Sequence, residues 1–76
     1  MNSEWVLQNL RETANHIENM LKDIEGGNQG AFCESGIVAI YRDLNRAWNG
    51  RNVPSIKAGV ADETLCRFPT DLNVAD

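Results

Sequence analysis

The feature that most constrains the fold of this chain is an apolar stripe along residues 4–25. The residues of the stripe recur at gaps of three and four: Val6, Leu10, Thr13, Ile17, Met20 and Ile24. Polar residues recur at the same gaps on the opposite side. This pattern is typical of an amphipathic helix of about six turns. Another part of the protein must cover so long an apolar face, so the stripe informs on assembly rather than on activity.

Size and charge limit the class of protein. The chain has 76 residues and a formal net charge of −4, which allows one small domain. The acidic balance argues against a nucleic-acid ligand and is compatible with a basic protein partner. No stretch approaches the about 18 apolar residues that span a bilayer, and the first residues lack the basic start of a secretory signal. We therefore expect a cytoplasmic protein with no membrane association.

The sequence predicts two long helices. Helix 1 is expected at about 3–25, with Asn2 or Ser3 capping its start and the glycines at 26–27 ending it. Helix 2 is expected at about 31–49, where a second apolar stripe occurs. The short connection between them predicts an antiparallel helical hairpin in an all-α fold.

The last third of the chain is patterned more weakly. Pro54 prevents helix 2 from continuing. A short helical segment is expected at about 60–68, followed by a tail at 70–76. Together with the hairpin these segments form one domain over residues 1–76.

The two stripes predict a shared core and a second subunit. We expect the facing stripes to bury six side chains against one another: Leu10, Ile17, Ile24, Ile37, Leu44 and Trp48. The apolar arc of helix 1 spans about 140°, more than one neighbouring helix covers. Either the C-terminal segment or a second copy covers the remainder, and we expect the second copy. The predicted assembly is a homodimeric four-helix bundle, with its interface at Trp5, Leu7, Ala14 and Leu21.

One basic cluster is the best candidate for a binding site. Arg42 and Arg46 stand one helical turn apart, and Asn49 and Arg51 follow them. Two guanidinium groups at this spacing could clamp a phosphate or a partner carboxylate. The alternative is a solvated face, on which Arg46 pairs with Asp43.

The chain offers little else that indicates chemistry. His16 is the only histidine, and no nucleophile or metal-ligand spacing accompanies it. Cys33 and Cys66 lack the close Cys-x-x-Cys spacing of structural zinc sites. We therefore predict no catalytic residue, no metal and no cofactor, and expect both cysteines to be free, buried thiols.

These observations favour a protein that acts by binding. We expect a non-enzymatic interaction module or regulator, such as an adaptor, an inhibitor or an immunity-type protein, whose partner is another protein. The alternative is a small-ligand or phosphate-binding accessory protein that uses Arg42, Arg46 and Arg51.

Overall fold

The computed structural model describes residues 1–54, 56 and 65–72. Helix α1 spans Ser3–Glu25, and helix α2 spans Glu34–Asn49. A 3-10 turn at Gln29–Ala31 lies between them, and no strand occurs in the described part of the chain. The predicted all-α class and the packed helical pair are confirmed. Neither α1 nor α2 is both long and apolar enough to cross a membrane.

Local signals in the sequence set the ends of α1. The Asn2 side chain accepts a hydrogen bond from the backbone N–H of Trp5 at 3.2 Å, which satisfies a donor that has no partner inside the helix. At the other end Gly26 is the C-cap, and Gly27 adopts a φ of 101° that residues with a side chain rarely adopt. The chain then turns back, so α2 runs antiparallel to α1.

The two helices pack closely because glycines on α2 leave room for large side chains on α1. A Cβ atom on Gly36 would lie 2.7 Å from Cε of Met20, and one on Gly50 would lie 2.7 Å from Cδ1 of Trp5. The indole N–H of Trp5 also donates to the carbonyl oxygen of Arg46 at 2.6 Å. The helices therefore meet along a line that runs from Trp5 and Gly50 to Met20 and Gly36.

The seam between the helices is polar. On α1 the amide of Asn9 donates to the carbonyl oxygen of Trp5, and the hydroxyl of Thr13 donates to that of Asn9, both at 2.9 Å. Asn9 and Thr13 are buried, and so is Asp43 on α2. Among the described residues, Ala47 and Pro69 are the only buried apolar ones.

The predicted core is therefore wrong. Leu10, Ile17, Ile37 and Leu44 are exposed, each with between 42% and 45% of its surface accessible. The reason is rotational: at about 100° per residue, these four side chains lie about a quarter turn around their helices from the side that meets the other helix. The stripe residues Thr13 and Met20 lie at the contact itself. The same geometry leaves Ile24, midway between the two sides, half-buried.

The described C-terminal residues 65–72 dock on α2, on the side away from α1. The amide of Asn45 donates to the carbonyl oxygen of Cys66 at 2.9 Å. The amide of Asn49 donates to the carbonyl oxygens of Leu65 and Arg67 at 2.8 and 2.7 Å. Residues 60–64 of the predicted third helix and residues 73–76 of the predicted tail lie outside the described residues. The described segment does not cover the stripe of α1.

Candidate interaction surface

The stripes of α1 and α2 combine into one surface, which we call the apolar face. Viewed from its own N-terminus, each stripe is displaced from the seam by about 100° in the same rotational sense. Because the helices are antiparallel, equal rotations bring both stripes to the same side of the hairpin. The apolar face is defined by six exposed side chains: Leu10, Ile17, Leu21, Ile37, Tyr41 and Leu44.

The apolar face is open along its length. Its side chains keep between 42% and 54% of their surface accessible. Ile17 and Leu44 each follow a member of the His16–Asp43 contact, and Leu21 and Ile37 each follow a member of the Met20–Gly36 contact. The face thus crosses both helices rather than following one of them.

No charged residue interrupts the apolar face. On α1 the arc from Val6 through Leu10 to Ala14 contains only uncharged residues. On α2 the arc from Ile40 through Leu44 to Tyr41 is also uncharged. The nearest charges on the helices themselves are Glu25 on α1 and Glu34 on α2, while the guanidinium of Arg51 and the carboxyl of Asp71 lie on Trp48, which belongs to the α2 arc. The face can bind by excluding water.

The structure separates the residues predicted for the dimer interface. Leu21 belongs to the apolar face, and Leu7 and Ala14 lie exposed on its outer flank. Trp5 is elsewhere, because its ring fills the space at Gly50 between the helices.

The basic cluster is not brought together as a phosphate clamp. The guanidinium of Arg51 stacks over the Trp48 ring at 3.8 Å and donates to Asp71 Oδ2 at 2.8 Å and to the Trp48 carbonyl oxygen at 2.7 Å. The amide of Asn49 is engaged with the C-terminal segment. Arg51 therefore helps to hold the C-terminal segment against α2.

Arg46 belongs to a different group of charges. Its Nη1 lies 3.5 Å from Oδ1 of Asp43, the pairing that the sequence offered as an alternative. The other oxygen of Asp43, Oδ2, lies 3.3 Å from Nε2 of His16 without hydrogen-bond geometry. Arg42 is exposed on the same helix. The arginines thus serve separate contacts.

The cysteines are free, as predicted, but their burial was predicted wrongly. Cys33 is the N-cap residue of α2 and is exposed, while Cys66 is half-buried. Hydrogen bonding to the Ser35 hydroxyl, with a further contribution from the Gly36 N–H, lowers the pKa of the Cys33 thiol. Cys33 is exposed because it precedes the first turn of α2 and so lies outside the surface of α2 that meets α1.

The described side chains show no assembled metal centre: no group of three or more His, Cys, Asp or Glu residues among them could hold an ion. The His16–Asp43 contact was not predicted from the sequence. The sequence did contain a signal for this contact, because His16 lies on the same side of α1 as Asn9 and Thr13.

The chain was compared with protein-family models, curated proteins and solved structures. None of these three comparisons finds a match for it.

Proposed function

We propose that this chain is a small, non-catalytic protein-interaction module or regulator that acts through its apolar face. Adaptors, inhibitors and immunity-type proteins work in this way. The observation that supports the proposal is the exposure of Leu10, Ile17, Ile37 and Leu44 on one side of the hairpin. Contiguous exposed apolar surface on a small protein marks a site of association.

The polar groups support the same proposal. Asp43, His16 and Arg46 face one another in and beside the seam, and Arg51 and Asn49 hold the C-terminal segment. These side chains stabilise the chain itself. The phosphate-binding alternative would require Arg51 to leave Asp71, and no feature of the site favours that exchange.

The partner is another protein. A homodimeric four-helix bundle, predicted from the sequence, would cover the face with an identical one. The cytoplasmic location expected from the sequence remains a prediction. The net charge of −4 would come from residues outside the face. It would speed the association of a basic partner but would not determine which partner binds.

The test compares two serine variants of α2. Leu44→Ser changes the apolar face, whereas Val38→Ser changes a residue of similar exposure, 43% against 45%, about 120° around the helix. Tagged wild-type and variant chains are incubated with extract of the native cells and with untagged chain, and bound proteins are quantified by mass spectrometry. Circular dichroism verifies the helix content of each variant.

We expect the wild type and Val38→Ser to retain the same proteins and Leu44→Ser to lose them. Equal binding by all three folded chains would contradict the proposal. A panel of phosphorylated metabolites in a thermal-shift assay tests the alternative, which predicts a stabilisation that Arg42→Ala abolishes.

A further inference from the structure

We infer that the C-terminal segment, residues 65–72, is a strap that covers Trp48 at one end of the apolar face, and that Asp71 holds the strap closed. The inference rests on the proposed function, that the apolar face is an association surface, and it names a regulation of that surface. In the closed state the exposed side chains of α2 on this face end at Leu44. When the strap opens, the indole of Trp48 extends the face by about one turn of α2.

Trp48 lies within the apolar stripe of α2. It follows Leu44 by four residues and Tyr41 by seven, so at about 100° per residue it projects from the helix between them. Its exposure differs from theirs: Tyr41 and Leu44 are exposed, whereas Trp48 is half-buried. A tryptophan ring on an association surface is a typical anchor for a partner. The ring is therefore in the right place to contribute to binding but is covered.

Arg51 and Asp71 cover the Trp48 ring together. The guanidinium of Arg51 lies over the ring, 3.8 Å from its centroid, and Oδ1 of Asp71 accepts the indole N–H at 2.9 Å. Oδ2 of Asp71 accepts from Nη2 of Arg51 at 2.8 Å. One carboxylate of the strap thus holds both the polar edge of the ring and the cation stacked on it.

The contacts that hold the strap are mostly polar. The amides of Asn45 and Asn49 donate to its main-chain carbonyl oxygens, and Asp71, whose side chain is 55% exposed, supplies its charged contact. Pro69 is buried, but most strap residues are exposed: Arg67, Phe68, Thr70, Asp71 and Leu72. Exposed hydrogen bonds and surface ion pairs each contribute little net stability, and segments with few buried apolar contacts open first. The strap can therefore open while α1 and α2 stay packed.

Opening of the strap controls the affinity of the apolar face. A partner that contacts the Trp48 ring binds only the open state, so its apparent dissociation constant is the intrinsic constant divided by the open fraction. A closed strap therefore weakens such binding. Loss of the Asp71 contact raises the open fraction and strengthens it.

The first experiment measures strap opening in the full chain with no partner present. Asp71→Ala removes the carboxylate that holds the strap, and Asp23→Ala, which removes an exposed carboxylate from α1, is the charge-matched control. Two readouts report on opposite ends of the strap. One is the attenuation of the Trp48 indole ¹⁵N–¹H signal by the neutral nitroxide TEMPOL, and the other is the alkylation rate of Cys66 with iodoacetamide.

We expect both readouts to rise at least threefold in Asp71→Ala and to keep wild-type values in Asp23→Ala. The Trp5 indole signal and the Cys33 alkylation rate are internal references that should not change. A Trp48 signal that becomes accessible while Cys66 keeps its rate would show the loss of one local contact, and would overturn the inference. So would unchanged readouts. Loss of helix content in Asp71→Ala by circular dichroism would also overturn it, because the segment would then be part of the helical fold.

The second experiment asks whether the strap limits access to the apolar face. The probe is the neutral apolar dye Nile red, whose fluorescence gives a dissociation constant for each chain. We expect Asp71→Ala to bind the dye at least twofold more tightly than the wild type, and Asp23→Ala to bind it equally. The gain should disappear when Leu44→Ser is combined with Asp71→Ala, because the apolar surface next to Trp48 is then lost.

These outcomes separate the inference from the proposed function. A strap that opens without any gain in affinity for Nile red would overturn the inference and leave the proposed function standing. Protein binding that is indifferent to Leu44→Ser would overturn the proposed function, and with it the regulation of the face. The opening measured at Trp48 and Cys66 would still stand in that case as a property of the chain.

Discussion

At the scale of single residues, a few polar contacts join segments that are distant in sequence. Asp71 accepts a hydrogen bond from the indole N–H of Trp48 at 2.9 Å and another from Arg51 at 2.8 Å. The Trp48 hydrogen bond, followed by that of Arg51, lowers the pKa of the Asp71 carboxyl. The ionised form of Asp71 is therefore the form that holds the C-terminal segment on α2.

This contact predicts a pH dependence of segment docking. Because the pKa of Asp71 is lower when the segment is docked, its contribution is fully present above the ordinary Asp range and is lost as pH falls through the lowered value. The indole ¹⁵N–¹H signal of Trp48 should therefore titrate in acid. In Asp71→Asn the signal should start near its acid position and stay flat. An unchanged titration in Asp71→Asn would assign the transition to another group.

A second residue-scale prediction concerns Cys33. Since the Ser35 hydroxyl is the main cause of its lowered pKa, Cys33 should carry more thiolate at neutral pH than an ordinary cysteine thiol. We expect faster alkylation of Cys33 by iodoacetamide, and a slowing of about a few-fold in Ser35→Ala. Peptide mass spectrometry over a pH series measures both rates, with Cys66 as the internal control. Identical Cys33 profiles with and without the Ser35 hydroxyl would contradict this assignment.

At the scale of secondary-structure elements, the spacing between α1 and α2 depends on glycine. Gly50 follows the last residue of α2 and lies against the Trp5 ring, and Cδ1 of Ile56 would lie 2.8 Å from a Cβ there. Its φ of −96° is ordinary, so the reason for glycine at this position is room rather than backbone conformation.

Gly50→Ala should therefore destabilise the hairpin. A methyl group would displace Trp5 and weaken its hydrogen bond to Arg46, at an expected cost of about 1–3 kcal/mol. Gly30→Ala is the matched control, because the new atom would meet only the flexible Asn28 side chain, at 3.3 Å. Urea unfolding followed by circular dichroism gives both free energies. Equal stability of the two variants would show that Trp5 does not set the spacing.

At the scale of the whole molecule, the chain buries polar groups at its helix contact and exposes its apolar residues. Burying Asp43 carries a desolvation cost that its neighbours His16 and Arg46 partly offset. Such a contact specifies how the helices align but contributes little net stability. A partner bound to the apolar face, as proposed, would add hydrophobic stabilisation.

This arrangement makes the effect of Leu44→Ala diagnostic. In a single copy Leu44 is 45% exposed, and truncation removes little buried surface. With a partner bound to the apolar face, as proposed, Leu44 would be covered, and truncation should then cost about 2–5 kcal/mol. Denaturation at a fixed concentration measures the loss, and Val38→Ala, expected to lose within about 0.5 kcal/mol, is the control. Matching small losses would indicate that Leu44 stays exposed in solution.

The sequence by itself determined the helices and the turn between them. The 3.6-residue period, the Asn2 cap and the glycines after Glu25 are local signals, and local hydrogen bonding was enough to make them predictive. The Arg46–Asp43 pair was readable for the same reason, since its members are three residues apart.

Only the tertiary structure decided which side of each helix meets the other. Periodicity shows where apolar residues lie on a helix, but it does not show what covers them. The seam buries Asn9, Thr13 and Asp43 and leaves the larger apolar side chains of the stripe outside the contact. The contact made by Arg51 was not readable for a related reason: Asp71, 20 residues away, accepts a hydrogen bond from its guanidinium. Pairings of this range depend on how the chain folds back, which no local pattern encodes.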